Sequence, residues 1–522
     1  MLVNVGSLVG TTAITSVLGF AYWWLAARRF PPETVGIASA SVSAMMLLGN
    51  FCILGLGTLL ITELPRQPGQ EASLISTALI VVGAVGGCIG IIFSVVAPYL
   101  SADFQVLRAS IADIVIFAAG VSLTAIALVL DQALIGILRG GLQLWRNTLF
   151  AVAKLAALFV VGLWLSYQVG ITIYATWVVG IALSLAVLCG FAVSKKGRER
   201  RSCMPQWGLL RKLGPAALQH HLLNLTLQAP ALLLPVLVTT LLSAKMNASF
   251  YVSWMIASFV FFIPLALTTV LHAMNSAQPS TLARKARVTM SLALVISVLA
   301  NCLLLVGTKQ VLGLFGRAYA EQAAWSLHIL VLAAFPLIIK NHYISICRIQ
   351  DRIAQAMLGI VPGSLLELGA AILGAHLGGL VGLSICWVAA IYIESMFMFR
   401  TVYRTIRSLD TSTVPARQLP GTEAIWLVET SPMSAIGQTY RGIEAIWLRE
   451  TSLLPAVRLP DIRKAYMEPG TGKKSVQQYE NWHGSAGRHR LKPPRLQRYT
   501  PYDSDPCITD KGVASQFLKV NT

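Results

Sequence analysis

The chain has 522 residues, of which 55% are hydrophobic and only 12% charged, with a mean hydropathy of +0.67. A soluble protein carries roughly twice that charged fraction, so a string of water-soluble domains is excluded. The net charge of +19 invites a nucleic-acid reading, but 26 Lys+Arg against 11 Asp+Glu fall in residues 1–407, mostly in short loops, which is the pattern that orients membrane proteins.

A helix needs about 20 apolar residues to cross a bilayer. Twelve stretches meet this in chain order: 5–27, 35–62, 74–98, 114–138, 148–166, 170–194, 215–242, 247–272, 289–307, 326–347, 355–375 and 378–399. The first has no basic run ahead of it and is followed by Arg28 and Arg29, so it reads as a retained span and not as a cleaved signal.

Loops after the even-numbered spans carry 15 Lys+Arg and loops after the odd-numbered spans carry 6, which places both termini in the cytoplasm. The richest loop, with Lys195, Lys196, Arg198, Arg200, Arg201, Arg211 and Lys212, divides the chain into two six-span halves. Asp131 to Arg139 at the end of span four and Lys340 to Arg348 at the end of span ten each begin with an ionisable residue and close on Arg, which supports a duplication. Two copies with the same topology are related by an axis along the membrane normal. The expected domains are a six-helix bundle over 1–194, a basic cytoplasmic linker over 195–214, a second six-helix bundle over 215–407, and a cytoplasmic tail over 408–522.

The tail carries a short repeat, residues 421–431 and 442–452, set among Pro, Ser, Arg and Gln, and reads as mostly disordered. Its stretch from Glu468 to Ser475 mimics a phosphate-binding loop, but Met467 stands where the motif needs Gly and Lys474 where it needs Ser or Thr. The eight cysteines show no CxxC spacing and lie mostly in apolar runs, so no metal site, disulfide framework or cofactor is expected. The chain reads as a protein that is not an enzyme.

The informative residues are polar groups where lipid forbids them, because a charge at membrane depth faces protein or a water-filled cavity. Span four holds Asp131, span five Lys154, span ten Lys340 and span eleven Glu367, one acid and one base on consecutive helices of each half. Lys154 and Lys340 sit near the cytoplasmic ends of their spans, where the alternative reading is a snorkelling side chain or an ion pair. Span one presents Asn4, Ser7, Thr11 and Thr15 on one helix face, and span seven presents His220, Asn224 and Gln228; these stripes line a central cavity or bond neighbouring helices. Prolines 230, 235, 264, 336 and 362 interrupt the spans of the second half and predict bent helices.

Residues Ser7 to Gly10, Gly19 to Arg28, Glu33 to Gly36 and Leu54 to Thr58 resemble the opening of polysaccharide transporters and O-antigen flippases of the multidrug/oligosaccharidyl-lipid/polysaccharide exporter superfamily. Ser249 to Tyr251, Phe262 to Pro264 and Leu314 to Ala320 extend that resemblance, which covers about residues 4–407. It implies an all-α integral membrane fold, a V-shaped pair of six-helix bundles that carries undecaprenyl-diphosphate-linked sugars between leaflets for polysaccharide and lipopolysaccharide export. The acidic residue that drug-exporting relatives often carry in span one is absent from residues 1–27.

The expected function is therefore a flippase in the inner membrane that moves a lipid-linked oligosaccharide by alternating access. Its partners would be that lipid, the bilayer, and glycan polymerase and glycosyltransferases, with no nucleic acid. Lys154 and Lys340 would hold the diphosphate, with Arg29 and Arg139 assisting at the boundaries and Thr11, Thr15, His220, Asn224 and Gln228 lining the path. Asp131 and Glu367 would hold the two lysines at rest, and Glu367 would be a site for resetting by a proton or cation. The rival readings are a cation-coupled exporter of small amphiphiles and a membrane scaffold for glycan assembly.

Overall fold

The computed structural model describes residues 2–164, 171–196, 205, 207–208, 215–277, 282–350 and 352–407. The tail and its repeat, the phosphate-loop mimic and most of the basic linker lie outside the described residues. The regular elements among the described residues are all helical, as apolar spans require when no water is available to the backbone.

The first half contains α1 (Leu2–Arg29), α2 (Pro32–Cys52), α3 (Leu56–Glu63), α4 (Glu71–Leu100), α5 (Ile111–Gly136), α6 (Gly140–Trp164) and α7 (Ile171–Lys196). The second contains α8 (Pro215–Leu241), α9 (Ala244–Ala277), α10 (Leu282–Gly313), α11 (Arg317–Gln322), α12 (Ala324–Leu330), α13 (Ala334–Ile349) and α14 (Ile353–Arg407). Ten of the described helical segments are long and apolar enough to cross a bilayer, α12 and α13 together forming one. Another, α14, bends where Gly379 takes a left-handed φ of 56°, giving arms over 353–377 and 380–407. The arms fold back on each other, and a Cβ on Gly374 would collide with the carbonyl of Gly382. Counting those two arms separately and adding the 28-residue α1, the described residues hold twelve helical segments of span length, the number that the hydropathy pattern predicts.

Two predicted spans are organised differently. Span two, expected to be continuous over 35–62, breaks between α2 and α3, where Leu54 and Gly55 both adopt positive φ (52° and 77°). Span ten opens with α12 and a 3₁₀ turn at Val331–Ala333, and Pro336 lies in the first turn of α13, where it costs no internal hydrogen bond. Pro230, Pro235, Pro264 and Pro362 lie inside α8, α9 and α14.

In the first half α4 packs on α5, and α6 packs on α1 and α7; in the second α13 packs on α14 and α9. The halves meet chiefly where α2 lies against α8 and α9. The side on which α1 begins is termed the near side, and the side on which it ends the far side. On the far side the junction is tightly closed. Asn247 donates to the Gly36 carbonyl (2.8 Å) and the Ser39 hydroxyl (3.0 Å), and Asp103 accepts from the Ala244 amide (2.9 Å). Trp24 and Arg28 both donate to the Leu314 carbonyl, at 2.9 and 2.7 Å. A Cβ on Gly36 would fall inside the Ala244 carbonyl, so only glycine permits this approach of α2 to α9.

Candidate functional site

Toward the near side the helices part around a cavity of ≈ 570 Å³. Its polar wall comes from α8 (His221, Asn224, Gln228) and α13 (Lys340, Asn341, Ser345, Arg348), with Asn50 of α2 and Gln132 of α5 contributed by the first half. Trp254, Phe261 and Trp387 form an aromatic floor, in which the two indoles meet edge to face at 4.8 Å. Amides, hydroxyls and a guanidinium over aromatic faces are suited to polar, hydroxyl-bearing or anionic groups.

Lys340 is buried at the cavity wall and is held by two carboxylates. It donates to Glu367 at 2.6 Å and to Glu394 at 2.8 Å, and Trp387 donates to the other oxygen of Glu367 at 2.9 Å. These groups come from α13 and from both arms of α14, so the fold-back of α14 builds the cluster. A Cβ on Gly363 would collide with the Glu394 carboxyl, so glycine at this position in the first arm makes room for an acid on the second. Glu367, the acid on the span after Lys340, is thus in contact with it. Glu394 is not among the residues expected from the sequence, although an acid inside an apolar span is itself a signal.

The first half differs from expectation. Asp131 does not hold Lys154; it accepts a bidentate pair from Arg146, at 2.9 and 2.6 Å, with a further contact from Asn147. The hydropathy pattern starts span five at residue 148 and leaves Arg146 in the preceding loop, but α6 begins at Gly140 and carries it into the bundle, where its side chain is 4% exposed. Lys154 is instead enclosed by aromatic rings, its ammonium 3.4 Å from the Trp177 centroid, 4.6 Å from Phe150 and 5.1 Å from Tyr22. A cation over ring faces is stabilised without a carboxylate. Lys154 does not line the cavity.

The other expected residues divide in the same way. Asn224 and Gln228 line the cavity, accompanied by His221, while His220 is buried beside it and absent from the wall. Arg29 and Arg139 are exposed at the end of α1 and in the turn after α5. Thr15 is half-buried on α1, and the side chain of Thr11 lies outside the described residues. Arg348, which closes the repeated segment of the second half, emerges as a cavity cation and donates to Asn224 Oδ1 at 2.9 Å.

Residues 1–206 match the family of polysaccharide biosynthesis proteins. No curated protein matches the chain. Among solved structures, the inward-facing conformation of a multidrug resistance MATE family transporter of the MOP superfamily is similar at TM-score 0.60 and 16% identity, covering 78% of this chain and 99% of that one. An outward-facing MATE family transporter gives 0.52 at 14% identity, covering 77% and 95%. A MOP superfamily transporter from Pyrococcus furiosus Vc1, whose reversed binding-pocket polarity suggests a different function, gives 0.52 at 15% identity, covering 77% and 95%. The chain is thus a multi-pass membrane protein with the fold of the MOP superfamily transporters, and its first 206 residues match the polysaccharide biosynthesis protein family.

Proposed function

We propose that the protein is a flippase that carries a lipid-linked oligosaccharide, with its diphosphate, across the cytoplasmic membrane by alternating access between halves 1–194 and 215–407. The observation that carries this reading is the near-side cavity, in which Arg348 and Lys340 stand among Asn224, Gln228, Asn341 and Asn50. A headgroup bearing about two negative charges and many hydroxyls cannot cross about 30 Å of hydrocarbon unless cations and hydrogen-bonding groups replace its water. Arg348 offers a planar fork to phosphate oxygens, and Lys340 a mobile point charge. The amides suit sugar hydroxyls, and aromatic faces beneath them suit pyranose rings.

The sidedness follows from the basic loops. They make the near side cytoplasmic, so the cavity faces the leaflet in which a lipid-linked sugar is assembled, while the Gly36–Ala244 junction closes the opposite side. Both termini are then cytoplasmic, and glycosyltransferases and a glycan polymerase are the expected functional neighbours. A second reading, export of small cationic amphiphiles, draws on the acids Glu367 and Glu394 beside Trp387.

Reconstitution tests this. Proteoliposomes loaded with a polyprenyl-diphosphate oligosaccharide should expose the glycan to an external glycosidase, and Arg348→Ala should slow exposure at least tenfold. No exposure with any lipid-linked glycan, together with pH-driven efflux of a cationic dye, would reject the flippase in favour of the exporter.

A further inference from the structure

The Lys340 cluster contains two acids for one base. Both carboxylates accept from the same ammonium, at 2.6 and 2.8 Å, so a single buried cation holds the two acids together. Glu367 uses its remaining oxygen to accept from Trp387, whereas the remaining oxygen of Glu394, a residue only 4% exposed, has no hydrogen-bond partner. A buried lone pair left bare is costly, and two adjacent carboxylates shielded from water cannot both stay ionised unless a cation lies between them. That cation is on a flexible four-carbon stem whose residue forms part of the cavity wall, where an anion would compete for it.

Other titratable groups lie on the surrounding helices, and among the described residues none of them is hydrogen-bonded to the Glu367 or Glu394 carboxylate. His342 of α13 bonds the Ile338 carbonyl and the Thr289 hydroxyl of α10, and Arg348 bonds Asn224. α8 contributes His220 and His221, α12 contributes His328, and the facing stretch of α9 contributes Trp254, Phe261 and Thr268, which do not titrate near neutral pH.

We infer that the Lys340 ammonium and a proton are alternative counter-cations of the Glu367–Glu394 pair, so that binding of a phosphate-bearing anion in the cavity draws the ammonium away and takes up one proton. No covalent bond to carbon changes. The two Nζ–H contacts break, and a proton given up by the bulk buffer and relayed through cavity water forms an O–H bond on one of the two carboxyl groups, so the pair always keeps one counter-charge. Anion and proton therefore bind with the same sign of coupling, each favouring the other. This inference rests on the diphosphate reading above and adds that the site is a proton site only while Lys340 is engaged by the anion.

The test is calorimetric titration of the purified full chain with inorganic pyrophosphate, in buffers of differing ionisation enthalpy and over a pH series. Comparison with variants cancels the protonation of pyrophosphate itself. The wild type should take up about one more proton per pyrophosphate than Glu367→Gln/Glu394→Gln, and its affinity relative to that variant should rise about tenfold per unit fall in pH across the window in which the pair loads. Should the double variant fold poorly with its unpaired lysine, Lys340→Gln serves instead, with weaker binding and the extra proton lost. Pyrophosphate binding with equal proton counts in wild type and both variants would overturn the inference and leave the flippase reading intact. Absence of any pyrophosphate binding by the wild type would overturn both.

Discussion

Asp131 and Arg146 form a two-point ion pair of which the arginine is almost fully withdrawn from solvent. Removing one member of such a pair leaves an uncompensated buried charge at a cost of about 3–5 kcal/mol, whereas replacing both with apolar groups is often neutral. Asp131→Ala should therefore lower the melting temperature in detergent by several degrees, and adding Arg146→Met should recover most of the loss. Lys154 has its charge met by rings instead. Lys154→Met should leave melting unchanged or slightly raised and flipping within about twofold of wild type; a tenfold loss of flipping would return Lys154 to the substrate path. The sequence identified Lys340, Glu367, Asn224 and Gln228 because an intramembrane polar residue is conspicuous one helix at a time. Partnership is a different matter. Arg146 sits about two turns before Lys154 on the same helix, and only the packing of α5 on α6 decides which of them meets Asp131.

At the scale of elements, two glycines determine how helices meet. Gly36 lets α2 touch α9 on the far side, so Gly36→Val should wedge that seal apart. In a cysteine-free background, Ser39→Cys, fully buried at the junction, should resist an impermeant thiol reagent added from the far side and become reactive once Gly36→Val is combined with it. Continued protection would mean that the halves accommodate the side chain without opening. Gly379 turns α14 back on itself with positive φ, and a side chain there costs about 1–2 kcal/mol. Gly379→Ala should thus lower the melting temperature modestly and, by shifting the second arm, loosen the hold of Glu394 on Lys340. Hydropathy located the arms as two spans but not the break at Leu54–Gly55, because a left-handed turn inside an apolar run leaves the run of apolar side chains uninterrupted.

For the whole molecule, the basic loops give a sidedness that a simple measurement checks. A reporter fused after Arg407 should be cytoplasmic, and a thiol label on Lys245→Cys, exposed in the first turn of α9, should react from outside the cell. The reverse pattern would place the cavity toward the exterior and remove the loading step proposed for it. Long-range architecture was readable from sequence to the extent that each span announces itself by length and apolarity. The cavity was not, since its wall combines α2, α5, α8, α9, α13 and α14, and no local pattern records which faces of those helices turn toward one another.

The indole of Trp387 donates to a carboxylate that alternates between two counter-cations, and it meets a second indole edge on. Indole emission responds to the charge at its N–H, so the cavity contains its own optical gauge. A change in emission on adding pyrophosphate, lost in Trp387→Phe and in Glu367→Gln, would follow the occupancy of the cluster in real time. Stopped-flow fluorescence would then resolve whether the ammonium departs before or after the anion arrives, without attaching any dye to the protein.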